Sequence, residues 1–252
     1  MTLKYFVKLS YTLAKAEFKV KNEGKYLGIL WYILNPLLVF MLLLFIFSKN
    51  IGTNIENYTL YLLLGIIMAN IFQQITIDST KILSSYKGII KSIKFPRQAL
   101  VAAAVLKTLF THVFELIIFI LILIIMGKLT LTIIFYPIII LFFMMLIFGI
   151  SLILSSLNVF FTDLDNIWAF LSKLIWFATP IFYTISNNSK LFIINLLNPL
   201  YYFITITREI IIYNSLPEMW LFTGALLHTL IFLALGILIF KKLDKKFAEV
   251  IR

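Results

Sequence analysis

The stretch LTIIFYPIIILFFMMLIFGISLILSSLN, residues 131–158, decides the fold class. None of its side chains is acidic or basic. A bilayer core of about 30 Å is crossed by about 20 residues rising about 1.5 Å each. Backbone polar groups in hydrocarbon must find partners within the protein, which leaves helices or closed barrels. An unbroken apolar run, rather than one alternating with period two, selects the helix. Comparable windows lie outward from it at about 27–48, 58–79, 98–126, 167–185 and 219–240. The chain is therefore expected to be an all-α, polytopic membrane protein with about six transmembrane helices, a single domain over residues 1–252.

Composition points the same way. Hydrophobic residues make up 62%, mean hydropathy is +1.03 and charged residues fall to 13%, about half the soluble norm, which excludes a soluble protein. The net charge of +11 flanks the spans, so it acts on topology and on anionic membrane lipid, and nucleic acid is not an expected partner. Without cysteine there is no disulfide or thiolate chemistry. His112 and His228 stand far apart within apolar runs, so no metal site is expected.

The basic residues fall on one side. Lys4, Lys8, Lys15, Lys19, Lys21 and Lys25 precede the first span, Lys81, Lys87, Lys91, Lys94 and Arg97 join the second to the third, and Lys241, Lys242, Lys245, Lys246 and Arg252 follow the last. The opposite connections hold Lys49, Lys128, Lys190 and Arg208. By the positive-inside rule both termini are cytoplasmic.

Three connecting segments are more than turns. Within residues 1–25, Lys4, Lys8, Lys15 and Lys19 share one arc of a helix while Phe6, Leu9, Leu13 and Val20 oppose them, as in a helix lying on the membrane surface. KILSSYKGIIKSIKF, residues 81–95, is a second basic amphipathic segment, long enough for a short helix that docks a cytosolic partner. Residues 186–218 are apolar and aromatic but interrupted by Asn198 and Pro199, which suits two half-helices that dip into the outer leaflet, one starting with Asn as cap and Pro as first residue. Leu-Asn-Pro-Leu also occurs at 34–37, where the same helix-start chemistry is expected.

No catalytic constellation is present. No glycine opens a GxxxxGK[ST] loop, so ATP is not bound by that device, and GxSxG and HExxH are missing. Lys107, Thr111 and Glu115 recur along one face of the third span beside His112. They either hold the bundle through partners on other helices or form a proton relay. Asp78 and Lys173 lie close enough to span ends to reach the interface by snorkelling. Trp31, Tyr32, Trp168, Trp176, Tyr183, Tyr201 and Tyr202 fall near expected interfaces, where such rings form a belt or, alternatively, line a channel.

Four ordered motifs carry a family resemblance. YLGILWYILNPLL at 26–38, KFPR at 94–97, NVFFTDLDNIW at 158–168 and NPLYYFITITREII at 198–211 resemble the permeases of bacterial ABC exporters for polysaccharides, O-antigen type, within the type-two exporter family. Thr162 stands where that family has an arginine before Asp163, and Gln98 and Ala99 replace its acidic residue.

The resemblance implies a non-enzymatic subunit without cofactor in the bacterial inner membrane, paired with itself and with two copies of an ATP-binding subunit. That partner would dock on Lys87, Lys91, Lys94, Phe95 and Arg97; Asn198 and Pro199 would belong to an outer gate. A lipid-linked polysaccharide would pass a channel at the homodimer centre, with Trp31, Tyr32, Trp176, Tyr183 and Tyr201 stacking on sugar. Capsule, teichoic acid, lipid or drug export, a proton-coupled secondary transporter and an embedded transferase are the alternatives.

Overall fold

The computed structural model describes residues 3–24, 26, 28–49, 51–186 and 189–250; Lys25 and Arg252 of the basic set lie outside them. Ten α-helices follow in order: α1 (Leu3–Asn22), α2 (Trp31–Phe47), α3 (Tyr58–Ser85), α4 (Lys87–Ser92), α5 (Gln98–Ile125), α6 (Tyr136–Asn158), α7 (Leu164–Ala178), α8 (Lys190–Leu196), α9 (Pro199–Ile211) and α10 (Met219–Val250). There is no strand among the described residues. Gly28–Phe47, Tyr58–Ser85, Gln98–Ile125, Leu131–Asn158 and Met219–Phe247 are each long and apolar enough to cross a membrane, and the α8–α9 pair, bent by 97°, makes up to six.

α3 is the hub. It packs against α2, α5, α6, α7 and α9, and its midsection from Leu60 to Met68 is almost wholly buried. α2, the more apolar of the two in sequence, is peripheral, with Leu38, Met41, Leu42 and Phe45 exposed. α6 and α10 pack most closely. A Cβ on Gly149 would lie 2.6 Å from the Phe232 carbonyl, and one on Gly236 would overlap the Gly149 oxygen, so the helices meet backbone to backbone.

A second, smaller apolar cluster sits at the basic end. Ile82 and Leu83 of α3, Ile90 of α4, Leu100 and Val101 of α5, and Phe240 and Phe247 of α10 bury one another there. Arg97 and Asp244 pair across it at 3.1 Å. α1 packs along α5 through Phe18 and Tyr11 against Phe110, and its lysines at 4, 8, 15 and 19 are exposed. Val20 is exposed with them rather than sharing the face of Phe6, Leu9 and Leu13, because the buried stripe continues through Ala14, Glu17 and Lys21.

Three local expectations change. The 81–95 segment is not one helix: α3 runs to Ser85, and only the six residues of α4 turn away. The 167–185 window overlaps α7, which runs from Leu164 to Ala178; its 15 residues reach only about 22 Å. Leu-Asn-Pro-Leu starts a helix only at 197–200, where Asn198 caps Leu200 and Pro199 is the first residue. At 34–37 the chain has already entered α2 through the 3-10 turn Gly28–Leu30, so Pro36 sits inside the helix and offers no N–H to the turn before it.

Candidate transport pathway

A polar cleft of about 520 Å³ opens between α2, α3 and α5. α3 contributes Asn70, Gln73, Gln74, Ile77 and Asp78, a spacing of three, four, seven and eight that places them on one helical face. α2 brings Trp31, Tyr32, Asn35 and Pro36, α5 brings Glu115 and α1 brings Lys21, whose ammonium lies 5.7 Å from the Tyr32 ring centroid. Four amides and two carboxyls at such depth are costly unless they meet water, one another or a ligand. The sequence carried the signal as NIFQQITID, residues 70–78, an interruption in an otherwise apolar span that the spans alone did not bring out.

Asp78 is paired within the bundle. Its carboxylate accepts from Lys107 Nζ at 3.0 Å, and Lys107 also pairs with Glu17 of α1 at 3.2 Å. Glu17 in turn accepts the Tyr86 hydroxyl at 2.7 Å, and Tyr86 is the residue from which α4 begins. Burial first, and then the hydrogen bond that its hydroxyl donates to Glu17, push the Tyr86 phenol far above its ordinary value. One continuous polar chain thus runs from the cleft to the short basic helix. Glu115 pairs within its own helix, with His112 Nδ1 at 3.2 Å, and His112 Nε2 meets the Tyr136 hydroxyl of α6 at 2.9 Å.

The far end is held by Arg208. Sequence reading counted it among loop charges; it is 3% exposed, with no carboxylate partner among the described residues. Its guanidinium donates to the carbonyls of Tyr61 at 2.9 Å, Pro180 at 2.7 Å and Ile181 at 2.8 Å, and stacks 3.3 Å from the Tyr61 ring centroid. Tyr61 and Tyr58 donate to the Tyr183 and Phe182 carbonyls at 2.8 and 3.1 Å. Non-helical backbone after α7 therefore finds donors inside the protein, as membrane depth requires. Gly65 makes the room, since a Cβ there would stand 2.5 Å from Arg208 Nη2.

The five aromatic candidates separate into groups. Trp31 and Tyr32 line the cleft, with Tyr32 stacked on Phe18 at 6.1 Å. Trp176 packs against Phe182, and the Tyr183 hydroxyl donates to the Phe177 and Ala178 carbonyls at 3.0 and 2.9 Å, closing the end of α7. Tyr201 lies against Tyr202 and Phe192 near the α8–α9 bend. α7 starts at the basic end, where Lys81 pairs with Asp165 at 2.6 Å, so its last turn lies at the far end, away from Trp31. Asn198 donates to Thr179 Oγ1 at 2.7 Å, and Asn198 and Pro199 line a separate, apolar cavity of about 460 Å³.

At the basic end Lys87, Lys91 and Lys94 are exposed, Phe95 packs against the small apolar cluster and Arg97 holds Asp244. The Lys81 ammonium holds the Asp165 carboxyl below its usual range.

The chain is 27% identical over 195 residues to the O-antigen export system permease protein RfbA of Myxococcus xanthus, covering 76% of this chain and 75% of that protein. Two Klebsiella pneumoniae proteins of the same name match at 31% over 183 residues, 72% and 71% of the two chains, and at 28% over 256 residues, 99% and 97%. Residues 8–212 match the ABC-2 type transporter domain. A polytopic helical bundle with this motif order and no phosphate-binding loop of its own thus belongs to the ABC-2 type transporter family, as one of its membrane-spanning permeases.

Proposed function

We propose that this chain is the membrane subunit of an ATP-driven exporter that moves lipid-linked O-antigen polysaccharide across the bacterial inner membrane. It works as a homodimer with two copies of an ATP-binding subunit on the cytoplasmic face, both of its own termini lying on that side. The observation that carries the reading is the polar cleft set within a membrane bundle, joined by the Asp78–Lys107–Glu17–Tyr86 chain to the helix that presents Lys87 and Lys91. Amides beside Trp31 and Tyr32 suit sugar hydroxyls and ring faces. The relatives named as O-antigen export permeases support the cargo. The far-end residues 186–218, with Asn198 and Pro199, serve as the outer gate, and Trp176, Tyr183 and Tyr201 complete the passage when it opens.

The experiment is copurification of the full chain with a candidate ATP-binding subunit, followed by ATP-dependent export of lipid-linked glycan from proteoliposomes. Export requiring both subunits and ATP is the expected result. The buried Glu115–His112–Tyr136 chain favours one competitor, proton-coupled transport. Export that persists without the ATP-binding subunit and stops when the proton gradient is collapsed would transfer the reading to it.

A further inference from the structure

We infer that the cleft between α2, α3 and α5 accepts an uncharged glycan and rejects an acidic one, a specificity that rests on the cleft being the passage. Asn35, Asn70, Gln73 and Gln74 line it, and each amide offers both donors and an acceptor, as sugar hydroxyls do. Gln73 reaches Ser172 Oγ at 3.4 Å, whereas Asn35, Asn70 and Gln74 find no hydrogen-bond partner among the described residues. Trp31, 51% exposed, adds a flat face for sugar C–H groups.

The charges discriminate. Asp78 and Glu115 both face the cleft, against Lys21 as the one cation among its lining residues. Lys107 stands behind Asp78 and is shared with Glu17, and His112 meets Glu115 at 3.2 Å, so three carboxyls stand against two ammonium groups and one imidazole. No arginine lines the cleft among the described residues, so the forked donor that reads carboxylate and phosphate is missing from that lining. A uronate or phosphodiester polymer would therefore bring like charge into a low-dielectric setting, where repulsion is least screened. Neutral O-antigen chains pass this filter; polymers of uronic acid or of phosphate-linked units do not.

The chain has no cysteine, so a single Gln74→Cys variant of the full protein in lipid nanodiscs gives a direct probe. Its reaction rates with cationic trimethylammonioethyl and anionic sulfonatoethyl methanethiosulfonate are each divided by the rate with free mercaptoethanol. The cation should win by about tenfold or more, and adding Glu115→Gln, which leaves the Lys107–Asp78 pair in place, should shrink that preference. Maltoheptaose should slow labelling, and an oligogalacturonate of equal length should not. Equal rates, a preference for the anion, or equal protection by both oligomers would overturn the specificity and leave the passage standing. A folded, monodisperse variant that reacts with neither reagent would overturn the passage itself.

Discussion

Tyr86 donates its phenol hydrogen to Glu17 across 2.7 Å, tying the surface helix α1 to the start of α4. Tyr86→Phe removes that bond alone and should cost about 1 kcal/mol of stability. With the folded-state phenol raised above the ordinary value of about 10, the contribution is complete below about pH 10 and is lost as pH rises through the folded value. The difference in thermal unfolding between wild type and variant should therefore stay constant from about pH 6 to about pH 9. A difference that varied across that window would count against the bond.

Lys107 separates two carboxylates from different helices, and it is 8% exposed. Lys107→Met leaves both without a cation, and breaking a buried pair in this way costs about 3–5 kcal/mol. Adding Glu17→Gln and Asp78→Asn should recover much of the loss, a non-additivity that thermal unfolding of the multiple variant would reveal.

Arg208→Gln removes donors from the Tyr61, Pro180 and Ile181 carbonyls together. A loss of about 5 kcal/mol follows, since three hydrogen bonds from a charged group contribute about 1.5–3 kcal/mol each. Arg208→Lys restores the charge but not the fork, so export should recover only in part. Gly65→Ala should mimic the defect by pushing the guanidinium aside. Protease sensitivity of residues 179–186 would report the loosening, and an unchanged cleavage rate would count against the clamp.

Lys87, Lys91 and Lys94 lie exposed at the basic end. Reversing all three charges should weaken capture of the ATP-binding subunit by about tenfold, because single rim charges contribute little. Membrane insertion should be unchanged, as the spans are untouched. Undiminished pull-down would remove α4 from the docking surface.

The spans were legible because hydrocarbon imposes a length and a composition that no neighbour can alter. Burial rank was not legible: α2 is the more apolar of the two in sequence, yet only α3 is enclosed, since that depends on which helices come to lie around it. Asn198 and Pro199 were readable as a helix start because capping is local. Arg208 was not, because its acceptors are carbonyls of Tyr61, Pro180 and Ile181, groups every residue carries and no sequence distinguishes. The partner of Asp78 was hidden for a similar reason: Lys107 reaches it from α5, 29 residues away, and is shared with Glu17 of α1.

The bare backbone meeting of α6 and α10 at Gly149 and Gly236 sets what can move. Interleaved side chains let helices shear by changing rotamer, but two main chains in contact have no such lubricating layer. Those helices move as one rigid pair, so any rearrangement of the bundle has to be sought among the helices packed around it.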